Sequence, residues 1–291
     1  MAWQPATLPI FDAKGDHFVE VNGINLHYLD TGGDGRPVVL LHGVNQNVRT
    51  WELVLPSLAG PWRLIALDQR GHGLSDEGQM YKRGDIVQDC RAFIEALGLE
   101  RPVVVGHSLG GYVGLRVAIS YPNLVGALVI GDMSANPAAS IASERRLSMQ
   151  RLLAPGLGDA TWADEAEALA FRQKYNPGEP EAISQLRLRH QLRRRPDGRL
   201  EMARAAFVAR ALLAEVQTFD ATPHLANVQC PVLVIRAEQS DVLPADAAEK
   251  MVKALPNAHL AVIADCPHDL QLYQPQRFGD AVARFLREVA P

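Results

Sequence analysis

The chain has 291 residues, 47% of them hydrophobic and 21% charged, which suffices for one large α/β domain or a core domain with an insertion. Its net charge of −4 offers no global attraction to nucleic acid or an anionic membrane, and no apolar run approaches the roughly 18 residues that cross a bilayer. Met1–Pro5 lacks the basic region and apolar core of a signal peptide. Cys90, Cys230 and Cys266 stand at no metal or redox spacing, so a cytoplasmic protein with buried thiols, no metal and no cofactor is expected.

Residues 1–17 read as irregular. Phe18–Val21 and Ile24–Asp30 alternate around Asn22-Gly23, which predicts a hairpin with a type I′ turn. Val38–Leu41 is a short apolar strand of the buried parallel kind. His42-Gly43-Val44 ends it, and a glycine there lets the backbone turn and present its N–H groups. Asn45, Gln46 and Asn47 follow, read either as amides lining a pocket or as caps of a short helix from Trp51 to Leu58. Arg63–Leu67 is the next strand. The polar loop Asp68–Asp76 holds Asp68, Arg70 and His72, and is expected to be braced by an internal Asp–Arg pair rather than to bind metal. Tyr81–Leu97 carries Ile86, Val87, Cys90, Phe93, Ile94 and Leu97 at helical spacing, and Gly98 stops it.

The sharpest local signal is Val103-Val104-Val105-Gly106-His107-Ser108-Leu109-Gly110-Gly111. A buried valine strand runs into glycines, and a helical pattern continues to about Tyr121. Gly106–Gly110 fits G-x-S-x-G in the strand–turn–helix setting that this motif requires. The middle residue of so sharp a turn sits at strained backbone angles, and its flanks must be nearly free of side chains. Ser108 Oγ would then project above the sheet at a helix N-terminus, where N–H groups face a developing oxyanion. The N–H groups of Val44 and Leu109 are the expected oxyanion donors.

Leu124–Ile130 is a further apolar strand, ending in Gly131-Asp132. Residues 134–220 break the rhythm and read as helices interrupted by Pro155-Gly156, Asn176-Pro177-Gly178 and Pro196-Asp197-Gly198. Between Ser134 and Thr218 stand 13 Arg and Lys against 10 Asp and Glu, with Arg187, Arg189, Arg193, Arg194 and Arg195 clustered. Solvated helix faces account for such a cluster; the alternative is that one or two of these arginines clamp a substrate carboxylate. Pro231–Arg236 is a strand, Ala245–Leu255 a helix, Ala258–Ile263 the last strand, and Pro275–Val289 a C-terminal helix. Alternating strands and helices give a mostly parallel sheet covered on both faces.

His42-Gly43 after a strand, Asp68–Ser75 and Gly106–Gly111 together resemble the α/β-hydrolase fold family, over residues 18–133 and 221–291. The resemblance implies an eight-stranded, mostly parallel sheet with helices on both faces. It also implies a core of residues 1–133 and 221–291 and a helical cap at 134–220. In that fold the nucleophile, acid and base follow in this chain order. His268, in the loop after the last strand and behind Cys266-Pro267, matches the position of the family's base; His224 comes too early and His259 lies inside a strand. Most members carry the acid four residues before a proline after the penultimate strand. Here that position is Ser240, and Asp241 is one place late.

Some members place the acid at the tip of the strand after the elbow helix, which is Asp132, and the resemblance favours Asp132 over Asp241. In its elbow, the aliphatic residue after His-Gly and the strand-tip acid the chain is similar to 2-(acetamidomethylene)succinate hydrolase-like members, which would imply amide or enamide cleavage. Serine at the elbow disfavours the family's dehalogenases and epoxide hydrolases, which need Asp there. The expected activity is therefore a serine hydrolase acting on a small ester, lactone or amide. Carbon–carbon bond hydrolases of the family often carry a Ser-x-Gly-type loop where this chain has Val44–Asn47. A C–C bond hydrolase, a non-hydrolytic receptor and a cofactor-free oxygenase remain the alternatives. No nucleic acid, membrane or metal partner is expected.

Overall fold

The computed structural model describes residues 15–78, 84–141, 160–203 and 218–289, with Val208, Ala211, Leu212, Ala214 and Val216. The main sheet has eight strands: β1 (His17–Val21), β2 (Ile24–Asp30), β3 (Arg36–Leu41), β4 (Trp62–Leu67), β5 (Val103–His107), β6 (Ala127–Gly131), β10 (Val232–Ala237) and β11 (Ala258–Ile263). Their order is β1-β2-β4-β3-β5-β6-β10-β11. β1, β2 and β4 pair antiparallel, and the remaining pairs are parallel. Asn22 (φ 51°) and Gly23 (φ 75°) both lie in the left-handed region, as a type I′ turn demands.

Side-chain alternation sorts the strands into two cores. Val39, Leu41, Ile65, Leu67, Val104, Leu128 and Ile130 point to one face, with helices α1 (Asp85–Ala96), α2 (Leu109–Ser120) and α6 (Ala245–Ala254) over them. Val38, Leu40, Leu64, Val103, Val105, Val129 and Ile235 point to the other. That second face is covered by helix α7 (Pro275–Glu288), whose Phe278, Val282, Phe285 and Leu286 are buried. Each such side chain contributes about 1.5–3 kcal/mol by leaving water. Burial on both faces explains why these strands read as unbroken apolar runs. The predicted start of α1 at Tyr81 and the irregular residues 1–14 lie outside the described residues.

Three expectations change. Val48–Trp51 and Leu55–Leu58 are separate 3₁₀ turns rather than one helix, because Pro56 takes the place of a backbone donor. The Asp68–Asp76 loop holds no internal Asp–Arg pair. Arg70 instead binds Asp89 of α1 through Nε and Nη2, and Asp85 through Nη1 at 3.2 Å. Asp68 accepts from His27 Nδ1 at 2.7 Å and from the N–H groups of Val48 and Leu74 at 2.7 and 3.0 Å. The insertion, finally, is not only helical. Beside α3 (Pro137–Ser140), α4 (Glu165–Tyr175) and α5 (Glu181–Gln191) it carries β7 (Thr161–Trp162), β8 (Leu192–Arg194) and β9 (Leu200–Met202), an antiparallel sheet in the order β7-β9-β8. The turn that reverses β8 into β9 is Pro196-Asp197-Gly198, with Gly198 at φ 84°. A turn signal between short strands and one between helices look alike in sequence. The predicted break at Pro155-Gly156 lies outside the described residues.

Candidate active site

The parallel strands β5 and β6 and the loops after β10 and β11 deliver their C-terminal ends to one place. β5 stops at His107, and Ser108 follows at φ 52°, ψ −116°, heading α2. The turn closes because its flanks have no side chains. A Cβ on Gly106 would stand 2.2 Å from the Gly110 carbonyl, and one on Gly110 would stand 2.0 Å from the Leu41 carbonyl oxygen. Ser108 donates its backbone N–H to the Gly131 carbonyl at 2.8 Å, tying the elbow to β6.

Asp132 sits at the tip of β6, fully buried and at φ 49°, a conformation an aspartate tolerates better than most residues. Its Oδ1 accepts the Ala237 N–H at 2.9 Å, and its Oδ2 accepts the Ser240 hydroxyl at 2.6 Å. Ser240, where the resemblance leads one to expect an acid, thus braces a carboxylate that comes from the neighbouring strand. Its Oγ in turn accepts the Val242 and Leu243 N–H groups at 3.1 and 2.8 Å.

His268 joins the two. Its Nδ1 lies 2.7 Å from Asp132 Oδ2, and its Nε2 lies 2.9 Å from Ser108 Oγ. A carboxylate only accepts, so the proton is on Nδ1 and Nε2 is free to take the serine proton. The structure brings Ser108, His268 and Asp132 together; the His268 Nδ1 bond goes to Asp132 and not to Asp241, which is half-exposed. The Val44 and Leu109 N–H groups donate to no acceptor among the described residues, and both residues line the cavity at Ser108.

That cavity, of about 180 Å³, is walled by Met133, Ile141, Trp162, Phe171, Leu188 and Met202 and closed on one side by residues of the insertion. Its polar wall is a charge network absent from the sequence-based expectations. Arg187 of α5 donates through Nε to Glu179 Oε1 at 2.7 Å and through Nη2 to Asp269 Oδ2 at 2.5 Å. Arg172 of α4 reaches the same Glu179 at 2.5 and 2.8 Å. Burial pushes the carboxyl of Asp269 up, but Arg187 and the neighbouring His268 and His107 hold it far below the usual carboxylate range. Glu179 is also held down against its burial, by Arg172 and Arg187. Arg187 itself, opposed by burial, is raised by Asp269 and Glu179. Of the basic cluster, Arg189, Arg193, Arg194 and Arg195 are exposed, and only Arg187 turns into the cavity. Arg193 and Arg195 pair with Glu201. The one signal for Asp269 was its place directly after the predicted base.

The three amides after Val44 divide between the two roles expected of them. Asn45 and Gln46 line the cavity, whereas the Asn47 side chain accepts the Arg49 N–H at 3.0 Å and caps the first 3₁₀ turn. His107, beside the nucleophile, donates Nε2–H to the His268 carbonyl at 2.9 Å and accepts Gln271 Nε2–H on Nδ1 at 3.1 Å. Burial lowers its pKa to about 4, so it stays neutral. Cys90, Cys230 and Cys266 are buried free thiols, and burial raises the first and last to about 12 and Cys230 to about 11. Among the described residues no group of His, Cys, Asp and Glu could hold a metal ion, and no helix is long and apolar enough to cross a membrane.

Comparison with known proteins agrees with this geometry at the level of fold. A sequence model of the α/β hydrolase fold matches residues 36–275. The chain is 28% identical to 2-(acetamidomethylene)succinate hydrolase of Mesorhizobium japonicum, over 94% of this chain and 98% of that enzyme. It is 30% identical to a 2-hydroxy-6-oxononadienedioate/2-hydroxy-6-oxononatrienedioate hydrolase of Paraburkholderia phymatum, covering 90% and 91% of the two chains. The crystal structure of E-2-(acetamidomethylene)succinate hydrolase superposes with a TM-score of 0.79 at 27% identity, over 94% of this chain and 98% of that one.

Proposed function

The chain belongs to the α/β-hydrolase fold family and is a hydrolase, and on that premise we propose that it is a serine hydrolase of small carbonyl compounds, esters, lactones or amides. The observation that carries this reading is the relay from Ser108 Oγ to His268 Nε2 at 2.9 Å and from His268 Nδ1 to Asp132 at 2.7 Å. A serine hydroxyl is too weakly acidic to attack unaided at neutral pH. His268 takes its proton as Oγ bonds to the substrate carbonyl carbon. Asp132 holds the imidazole in the required tautomer and stabilises the imidazolium. The Val44 and Leu109 N–H groups receive the oxyanion. His268 then gives the proton to the leaving group, and a water activated by His268 releases the acyl group from Ser108. No cofactor is needed for any of these steps.

Residues 134–220 act as the cap in this reading. Of these, the described Ile141, Trp162, Phe171, Leu188 and Met202 wall the cavity at Ser108 and meet the substrate. Turnover of p-nitrophenyl acetate and butyrate, with Ser108→Ala as the comparison, tests the proposal. Loss of activity in Ser108→Ala, together with labelling of wild type by a fluorophosphonate, is the expected result; activity that survives the substitution overturns it. The similarity to the Paraburkholderia phymatum enzyme supports a second reading, hydrolysis of a carbon–carbon bond next to a ketone. In that case His268 delivers its proton to carbon, and a keto-dienoate is turned over while simple esters are not.

A further inference from the structure

Asp269 follows the base directly, yet neither of its oxygens bonds to Ser108. Oδ2 accepts Arg187 Nη2 from α5 of the insertion, and Oδ1 accepts Gln46 Nε2 at 2.9 Å from the loop after β3. Gln46 grips Gly43 from both sides. Its Oε1 accepts the Gly43 N–H at 2.9 Å, and its own backbone N–H donates to the Gly43 carbonyl at 3.2 Å. That carbonyl also accepts His42 Nδ1 at 2.8 Å. The Gly43 carbonyl and the Val44 N–H belong to one planar peptide unit. Whatever fixes the carbonyl on one side therefore aims the N–H on the other, toward the cavity. Gln271 Nε2 supports the Gln46 oxygen from behind at 3.1 Å.

We propose that Asp269 is a positioning residue. Bonded to Arg187 on one oxygen and to Gln46 on the other, it couples helix α5 of the insertion to the peptide that carries the Val44 N–H. An oxyanion donor acts through its alignment with the transition state, so slack in this path costs turnover more than substrate binding. The path also gives Arg187 a role other than clamping a substrate carboxylate: its Nε and Nη2 already donate to Glu179 and Asp269. The inference rests on the serine-hydrolase reading of Ser108.

The test is p-nitrophenyl butyrate turnover, with inhibition by an alkylboronic acid that forms a tetrahedral adduct. The variants are Ser108→Ala, Gln46→Ala, Asp269→Ala, Asp269→Asn and the Gln46→Ala/Asp269→Ala pair. Gln46→Ala and Asp269→Ala are expected to lower kcat ~10- to 100-fold with KM within about threefold, and to weaken the boronic acid in parallel, as misalignment of one oxyanion donor should. Asp269→Asn keeps an acceptor for Gln46 and is expected to recover part of the loss. The double variant is expected to be no worse than the weaker single one, because both act along one path. A loss confined to KM, an unchanged boronic acid affinity, or multiplying single effects would overturn the proposal. Should Asp269→Ala not fold, Asp269→Asn carries the test beside Gln46→Ala, with a smaller loss in kcat and the same small change in KM expected. Activity that survives Ser108→Ala is a separate failure, of the underlying reading and of this inference with it.

Discussion

Replacing Asp132 by asparagine removes one charge and keeps the shape. In the protein its Oδ2 accepts both His268 Nδ1–H and the Ser240 hydroxyl, and its Oδ1 accepts the Ala237 N–H. An asparagine has one acceptor oxygen for those three donors. With its NH₂ toward Ala237 it meets a donor head-on; with the NH₂ toward His268 it drives the imidazole into the wrong tautomer, with Nε2 protonated and unable to accept from Ser108. The electrostatic part is of similar size. A carboxylate 2.7 Å from the ring nitrogen stabilises a developing imidazolium by about 6 kcal/mol at an effective dielectric of about 20. An amide dipole restores part of this, so kcat for p-nitrophenyl acetate is expected to fall ~10³- to 10⁴-fold, about 4–5.5 kcal/mol. Asp241→Asn, the control, is expected to stay within about twofold of wild type. An Asp132→Asn enzyme that keeps a tenth of wild-type kcat, or an Asp241→Asn enzyme that loses as much, would refute the reasoning.

Gly106→Ala forces a Cβ to within 2.2 Å of the Gly110 backbone, so it should cost more than about 3 kcal/mol in urea unfolding or prevent folding outright; a change under 1 kcal/mol would contradict the close approach. His107 has its pKa lowered by burial to about 4, from 6.5, so the unfolded chain binds its proton first as the solution is acidified. Stability linked to this group is complete above pH 6.5 and is lost as pH falls from about 6.5 to about 4, amounting to about 3 kcal/mol. Unfolding of wild type and His107→Gln at pH 7 and 4.5 measures it, and wild type should lose more stability across that interval than the variant. Arg193→Ala and Arg195→Ala touch only surface pairs, with Glu201 and, for Arg195, also Asp197, so turnover and the unfolding midpoint should both remain close to wild type; a large loss in either would show that these pairs are not peripheral.

What can be read from the residues alone is what short-range chemistry dictates. The hairpin is legible because Asn22-Gly23 suits two left-handed backbone positions, and the sheet because valine and leucine runs of strand length can only be buried. The elbow is legible because no side chain fits at Gly106 or Gly110 once Ser108 makes its turn. His268 stands out in the sequence by its place after the last strand, a topological argument that survives any change in loop length, and the fold sets its Nε2 2.9 Å from Ser108 Oγ. Two carboxylates, however, stood near enough in the chain order to serve the base, and only the fold decides which one reaches it. Asp132 and Ser240 lie 108 residues apart and meet because β6 and β10 are neighbours in the sheet.

The same limit hid the partners of Arg70, the small sheet of the insertion and the Arg187–Asp269–Gln46 path. In sequence Arg187 is one of five clustered arginines, and nothing periodic distinguishes it from Arg189 or Arg193. In the structure it is the one whose helix face turns inward. An ion pair or a hydrogen bond between distant segments leaves no local pattern, because its energy depends on the direction of two side chains that the chain brings together only after the sheet has formed.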